Sequence, residues 1–254
     1  VALLRDRSGS TTDGEGLEVL LMTRPATSAF APQAEVFPGG AVDPADVDPH
    51  WSELSAGLEL QLEVEPRLLV AAVRETFEEC GVLLARDRAG QPCPPHLVAE
   101  LAPLRQLLQN GHPEEFSPGL RRAGLRPGWE DLGFCAHWVT PEGLPRIFDT
   151  RFFAAALPEG QEPSQDDLGE LDSMRWVSPA AVLEEAAQGR TLLLPPTRAV
   201  MEQLADHQTV AAALQAALSA KVQRVQPKLE EITADRYPGL DPEVIRRSGG
   251  GRTA

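Results

Sequence analysis

Residues 74–82 read RETFEECGV, with glutamates at Glu75, Glu78 and Glu79 and a glycine at Gly81. At about 100° per residue, Leu69, Ala72, Val73, Thr76, Phe77 and Cys80 fall on one side of a helix. The three glutamates fall almost opposite, at the i+3 and i+4 spacings that make side chains neighbours. Like charges so placed cost roughly 0.2–0.5 kcal/mol each. They also crowd the last turns before Gly81, where the helix dipole disfavours anions by roughly 0.3–1 kcal/mol each. Arg74 is the only cation in the stretch. A solvated face explains the pattern but not its position; a bound divalent cation would reverse both penalties. An all-oxygen carboxylate set suits Mg²⁺ or Mn²⁺ rather than zinc. The stretch therefore reads as a metal-binding helix over 65–81, with Pro66 in its first turn and Gly81 as its stop.

Around this helix, VALLRDR (1–7) and LEVLLMTR (17–24) flank a turn-rich SGSTTDGEG and predict a β-hairpin. Pro38, Gly39 and Gly40 break regular structure before the helix. Asp43, Asp46 and Asp48 read as a polar turn or helix cap. PPHLVAELAPLRQLLQNG (94–111) predicts a further helix, within a helical segment at about 86–130. FCAHWVTP (134–141), RIFDTRFFAAALP (146–158) and SMRWVSP (173–179) predict strands. SPAAVLEEAAQGR (178–190) predicts a helix capped by Ser178, and a long helix or helix pair opens at Thr197. Strands and helices intermix without regular βαβ alternation, which implies an α+β fold with a mixed sheet. Val200, Met201 and Leu204 form an apolar stripe that fits internal packing, or the interface of a homodimer.

The 254 residues carry a formal net charge of -15, and lysine occurs only at Lys221 and Lys228. Such a surface repels a phosphate backbone, so nucleic acid is not an expected bulk partner. A small anionic substrate remains compatible if metal ions neutralise it locally. No apolar run approaches the roughly 20 residues that span a bilayer, and no secretory signal is evident. Cys80, Cys93 and Cys135 lack CxxC spacing and read as reduced cysteines of a cytoplasmic protein.

RETFEECGV resembles the second half of the Nudix box, G-x5-E-x7-R-E-U-x-E-E-x-G-U. Arg74, Glu75, Glu78, Glu79, Gly81 and Val82 match, while Thr76 holds the first U position. At normal spacing the first half is missing, because Leu60 and Pro66 stand where glycine and glutamate belong. VFPGG, ending at Gly40, resembles the strand and turn that open such boxes. Gly40 lies 34 positions before Arg74 instead of 14, so about twenty residues are inserted, at about 41–64. With HWVTP, FDTRFF and LPPTR downstream, the chain is similar to the Nudix branch of the peroxisomal coenzyme A diphosphatases.

The resemblance implies an α/β/α sandwich over 1–205, followed by a C-terminal helical extension and flexible tail at 206–254. It implies metal-dependent hydrolysis of a diphosphate linkage in a nucleoside diphosphate derivative such as coenzyme A, NADH or a nucleotide sugar. Glu75 and Glu79 would be the main ligands of Mg²⁺ or Mn²⁺, with Glu78 and the Gly40 carbonyl assisting. Arg74 would orient a carboxylate. The catalytic base would be Glu75 or Glu170, the latter in the acidic stretch SQDDLGELDSMRW (164–176). Arg24 and Gly39 would contact the substrate. Glu63 or Glu65 would replace the first-half glutamate. Coenzyme A-directed relatives carry an arginine and a glycine where this chain has Ala29 and Gln33. The rival reading is a Nudix-fold module that senses a nucleotide without cleaving it.

Overall fold

The computed structural model describes residues 1–7, 16–28, 30–51, 64–144, 146–164 and 172–233. In chain order the elements are β1 (Ala2–Asp6), β2 (Leu17–Thr23), β3 (Ala34–Val36), α1 (Pro66–Cys80), β4 (Ala85–Asp87), α2 (Pro95–Glu100), α3 (Ala102–Gln109), α4 (Phe116–Arg122), β5 (Leu125–Pro127), β6 (Gly133–Val139), β7 (Asp149–Ala156), β8 (Ser173–Val177), α5 (Pro179–Ala187), β9 (Leu192–Leu193), α6 (Pro195–Ala205), α7 (Val210–Ser219) and β10 (Arg224–Val225). Their contacts divide the chain into two units, one built on a large sheet and one on α1. Among the described residues, no helix is long and apolar enough to cross a membrane.

The sheet unit comprises Ala2–Phe37, Phe134–Ala154 and Gly169–Ala254. Its strand order is β10-β6-β7-β1-β2-β3-β9, with β8 on the other edge of β2. Val19 pairs with Leu4 and Val177, while Met22 pairs with Val36 and Met174. β1 and β3 therefore share one edge of β2, and β8 pairs along the other from Val19 to Thr23. The sheet is mixed: β1, β3 and β8 run antiparallel to β2, whereas β3 with β9 and β6 with β10 are parallel. Val19, Leu20, Leu21 and Met22 are all buried, the unbroken apolar run of a central strand.

Two expectations change in this unit. α6 opens at Pro195, two residues before Thr197, because consecutive prolines suit a first turn whose N–H groups have no intrahelical partner. A second helix, α7, follows with the Thr209 side chain as its cap. Val200, Met201 and Leu204 are buried within the chain, so this stripe is packing and is not free to form a dimer face. The C-terminal extension is also not purely helical, since β10 returns to pair with β6. The expected flexible tail lies outside the described residues.

The second unit comprises Val1, Pro38–Gly133 and Ala155–Leu168. Here α1 buries Leu69, Val73, Phe77 and Cys80, as the helical wheel predicts. The helix expected at 94–111 is split at Leu101 into α2 and α3, with Pro103 in the first turn of α3. α3 packs against α1. Just beyond α1, the buried Gln161 amide accepts from Leu83 N at 2.9 Å and donates to Leu83 O at 3.1 Å. This pairing satisfies backbone groups that burial would otherwise strand.

Gly81 ends α1 in the left-handed region at φ 72°. A Cβ there would lie 2.8 Å from Ser164 Oγ and 2.9 Å from Arg105 Nη1. Gly81→Ala should therefore destabilise the fold by at least about 1–2 kcal/mol, the ordinary cost of a left-handed residue with a side chain. Urea denaturation would measure this, and a midpoint equal to wild type would contradict it.

Candidate functional site

Arg74 lies in the middle of α1 and is buried, with only 3% of its surface exposed. Its Nε and Nη2 donate to the two carboxylate oxygens of Asp46 at 2.8 and 3.0 Å. Nη2 also donates to Ala41 O at 3.1 Å, while Nη1 reaches Glu75 Oε1 at 2.9 Å and Glu78 Oε2 at 3.1 Å. These five contacts match the five donors of a guanidinium. Burial opposes the charge on Arg74, but Asp46 and Glu75 hold its proton more tightly still.

Asp46 is the residue that sequence reasoning missed. It stands six positions after Gly40, the place of the glutamate in G-x5-E. The 3₁₀ turn Pro44–Asp46 brings its shorter side chain to Arg74, and Asp43 caps that turn as expected. Asp46 Oδ2 also accepts from Asp43 N at 2.8 Å. Counting forward from Gly40 and admitting Asp for Glu would have found it. Glu65 is excluded by position: it caps the opposite end of α1 and pairs with Arg67 at 2.8 Å. Ten helical residues put it about 15 Å along the axis from Glu75. Glu63 lies outside the described residues.

Counted from Asp46, the expected insertion would begin at 47 rather than at about 41. Its first residues are anchored. Trp51 is buried and donates from Nε1 to Ser117 Oγ at 2.6 Å, while Arg121 pairs with Asp48 and stands 5.6 Å from the Trp51 ring centre.

The Pro38-Gly39-Gly40 turn lies against the carboxylates. Gly39 N donates to Glu79 Oε2 at 2.6 Å. A Cβ on Gly40 would lie 2.5 Å from Glu75 Oε2 and 2.7 Å from Oε1, so any side chain there would displace the Glu75 carboxylate from its present place. Burial pushes Glu75 up to about 7; Arg74 pulls it down, and Glu78 pushes it up again. Burial likewise pushes Glu79 up to about 8, against the Gly39 N–H and with repulsion from Glu75. These are carboxylates short of positive charge. Among the described residues, no three His, Cys, Asp or Glu side chains already converge as a ready metal cage. The donor set nevertheless fits a hard divalent cation, since every available group is an oxygen. The Gly39 N–H occupies only one Glu79 oxygen, and a carboxylate keeps further lone pairs for a cation.

Of the other expected site residues, Arg24 belongs to the sheet unit, where its Nε donates to Phe30 O at 3.0 Å and closes a loop. Glu170 lies outside the described residues.

Residues 55–204 match the family described as the NUDT19 Nudix domain, more than half of the chain. The chain belongs to the NUDT19 Nudix family. It is 31% identical over 222 residues to the human acyl-coenzyme A diphosphatase NUDT19, covering 72% of this chain and 59% of that protein. The Gallus gallus protein of the same name is 29% identical over 222 residues, covering 70% and 58%. The chain thus spans under three fifths of the length of these curated relatives. A crystal structure of a Nudix hydrolase from Alicyclobacillus acidocaldarius superposes with a TM-score of 0.64 at 30% identity, covering 84% of this chain and 93% of that one. The fold is the Nudix fold, of α+β class with a mixed sheet. Nudix hydrolases generally work with a divalent metal ion. In this NUDT19-type chain the match begins downstream of Gly40 and Asp46, so their place beside Arg74 and Glu75 rests on geometry.

The raised carboxyls give a signed expectation. Between the ordinary glutamate value of 4.5 and about 8, the folded metal-free chain binds more protons than the unfolded chain. Its stability should therefore fall as pH rises across that window. Thermal melts in EDTA from about pH 5 to 8 should show a falling Tm, and saturating Mn²⁺ should flatten the slope. A metal-free Tm that is level or rises would contradict the buried, repelling carboxylates.

Proposed function

We propose that this chain hydrolyses a diphosphate linkage in a coenzyme A derivative. The observation that carries the reading is the convergence of desolvated Glu75 and Glu79 on the Gly39–Gly40 backbone, with Arg74 bridging Glu75 and Glu78. Glu75, Glu78 and Glu79, with the Gly40 carbonyl, would hold Mg²⁺ or Mn²⁺, which suit all-oxygen sites. A bound cation would supply charge neutralisation of the diphosphate and of its developing transition-state charge. Arg74 keeps Glu75 and Glu78 oriented, and the Gly39 N–H holds Glu79, which weakens the case for Gly39 as a substrate contact. Glu75, a carboxylate beside the proposed cation, would be one candidate base that accepts a proton from attacking water. Glu170 is the other candidate base. Arg24 is occupied in its own loop, which weakens its case as a phosphate contact.

The names of the relatives favour coenzyme A or an acyl derivative over NADH and nucleotide sugars. Gln33 bears on the same choice. It adopts φ 60°, a left-handed conformation, where coenzyme A-directed relatives carry glycine. Its Nε2 donates to Arg24 O at 3.1 Å and Asp172 Oδ2 at 2.6 Å, which helps hold that conformation. The sequence departs from the signature while the backbone keeps a glycine-like shape. The sensor reading loses its main support, because Asp46 fills the first-half position beside an intact Arg74. Three free cysteines fit a reducing compartment such as the cytoplasm.

Glu79→Gln should leave the fold intact, being nearly isosteric. Losing several kcal/mol of charge stabilisation should lower kcat/KM for coenzyme A roughly a thousandfold or more. Turnover of coenzyme A, acyl-coenzyme A and NADH with Mn²⁺, with products identified by mass spectrometry, tests both claims. A variant keeping over about half its activity would sink the site assignment. Tight substrate binding without turnover by wild type would support the sensor instead.

A further inference from the structure

The last four carbonyls of a helix have no partner within it. In α1 these belong to Phe77, Glu78, Glu79 and Cys80, and every one is engaged. Gly81 N donates to Phe77 O at 3.0 Å, closing the helix. Ser164 N donates to Cys80 O at 2.9 Å. The remaining two carbonyls are those of the glutamates, and α3 reaches across to them. Arg105 Nε donates to Glu78 O at 3.0 Å, and its Nη2 donates to Glu79 O at 3.0 Å. Gln109 Nε2, one turn further along α3, donates to Glu78 O at 3.0 Å. The same guanidinium also grips Ser164, from Nη1 to its hydroxyl at 2.8 Å and from Nη2 to its carbonyl at 2.9 Å.

This arrangement does more than finish a helix. The negative end of the helix dipole and three carboxylates share one short stretch of chain, and Arg105 sets a fixed positive charge there. A cation near a helix C-terminus is favourable by roughly 0.3–1 kcal/mol, and more when partly buried. The planar fork also fixes the peptide groups of Glu78 and Glu79, the two residues whose side chains must meet a metal at a defined register. Lysine could supply the charge but not the fork. Gly81 leaves room for the clamp, since a side chain there would collide with both Ser164 and Arg105.

We propose that Arg105 is a positioning residue for the glutamate site, setting its affinity for a divalent cation through the backbone of Glu78 and Glu79. The inference rests on the reading of those glutamates as a metal site. Groups that support metal ligands from outside typically change metal affinity 10–100-fold when removed.

Calorimetric titration of Mn²⁺ into the metal-free full chain tests it, with wild type, Arg105→Ala and Arg105→Lys. Arg105→Ala should bind Mn²⁺ roughly tenfold or more weakly, and added guanidinium ion should recover part of the loss. At saturating Mn²⁺ its KM for coenzyme A should stay within about twofold of wild type, because the clamp touches backbone and not substrate. A purely structural cap would instead lower Tm and leave the Mn²⁺ affinity unchanged. If Arg105→Ala does not fold, Arg105→Lys decides, with an expected several-fold weakening of Mn²⁺ binding. Variants within about twofold of wild type would overturn the role of Arg105 while leaving the metal site standing. A wild type that takes up no Mn²⁺ would overturn both.

Discussion

The buried ion pair between Asp46 and Arg74 is the constraint on which the site depends. Arg74 cannot shed its charge, and burial removes the water that would solvate it. Its donors must therefore be met by protein, and they are met by Asp46, Ala41 O, Glu75 and Glu78. Removing one partner of such a pair typically costs about 3–5 kcal/mol, because the other charge is left stranded. The pair fixes the turn after Gly40 to the middle of α1, and so sets where the Gly39–Gly40 backbone meets Glu79 and Glu75.

The same constraint explains how an insertion of about twenty residues can sit inside the motif. Once Asp46 and Arg74 are joined, the chain between them is a closed loop, and its closure entropy grows only logarithmically with length. Lengthening it from 7 to 27 intervening residues adds about 1 kcal/mol, well below the cost of losing the pair. Trp51, seated on Ser117 and beneath Arg121, recovers part of that by packing the start of the insertion into the helical segment. Crowding Glu75, Glu78 and Glu79 at a helix C-terminus remains unfavourable. Arg74 and Arg105 relieve it in part, yet Glu75 and Glu79 stay well above ordinary carboxyl values. A group kept in that condition is typical of a functional site.

Much of this was legible in the sequence. The wheel placed Leu69, Val73, Phe77 and Cys80 inside, Gly81 marked the end of α1, and the aromatic-rich runs marked β6, β7 and β8. Periodicity reads long elements well. It could not find β4 and β5, a short antiparallel pair at the ends of the segment expected to be helical over about 86–130, nor β9 and β10, which are two residues each and pair with the edge of a neighbouring strand. Asp46 was hidden by a one-methylene difference and by counting back from Arg74 across the insertion. Arg105 was hidden by distance: it lies 26 residues beyond Glu79, and no local pattern tells which helix will receive a guanidinium.

A double-mutant cycle on Asp46→Asn and Arg74→Gln, read by urea denaturation, tests the central claim most directly. Each single change should cost about 3–5 kcal/mol. The double change should cost less than the sum of the two by about 2 kcal/mol or more, as expected of residues in direct contact. Costs that simply add, or single changes below about 1 kcal/mol, would show that this pair does not hold the site together.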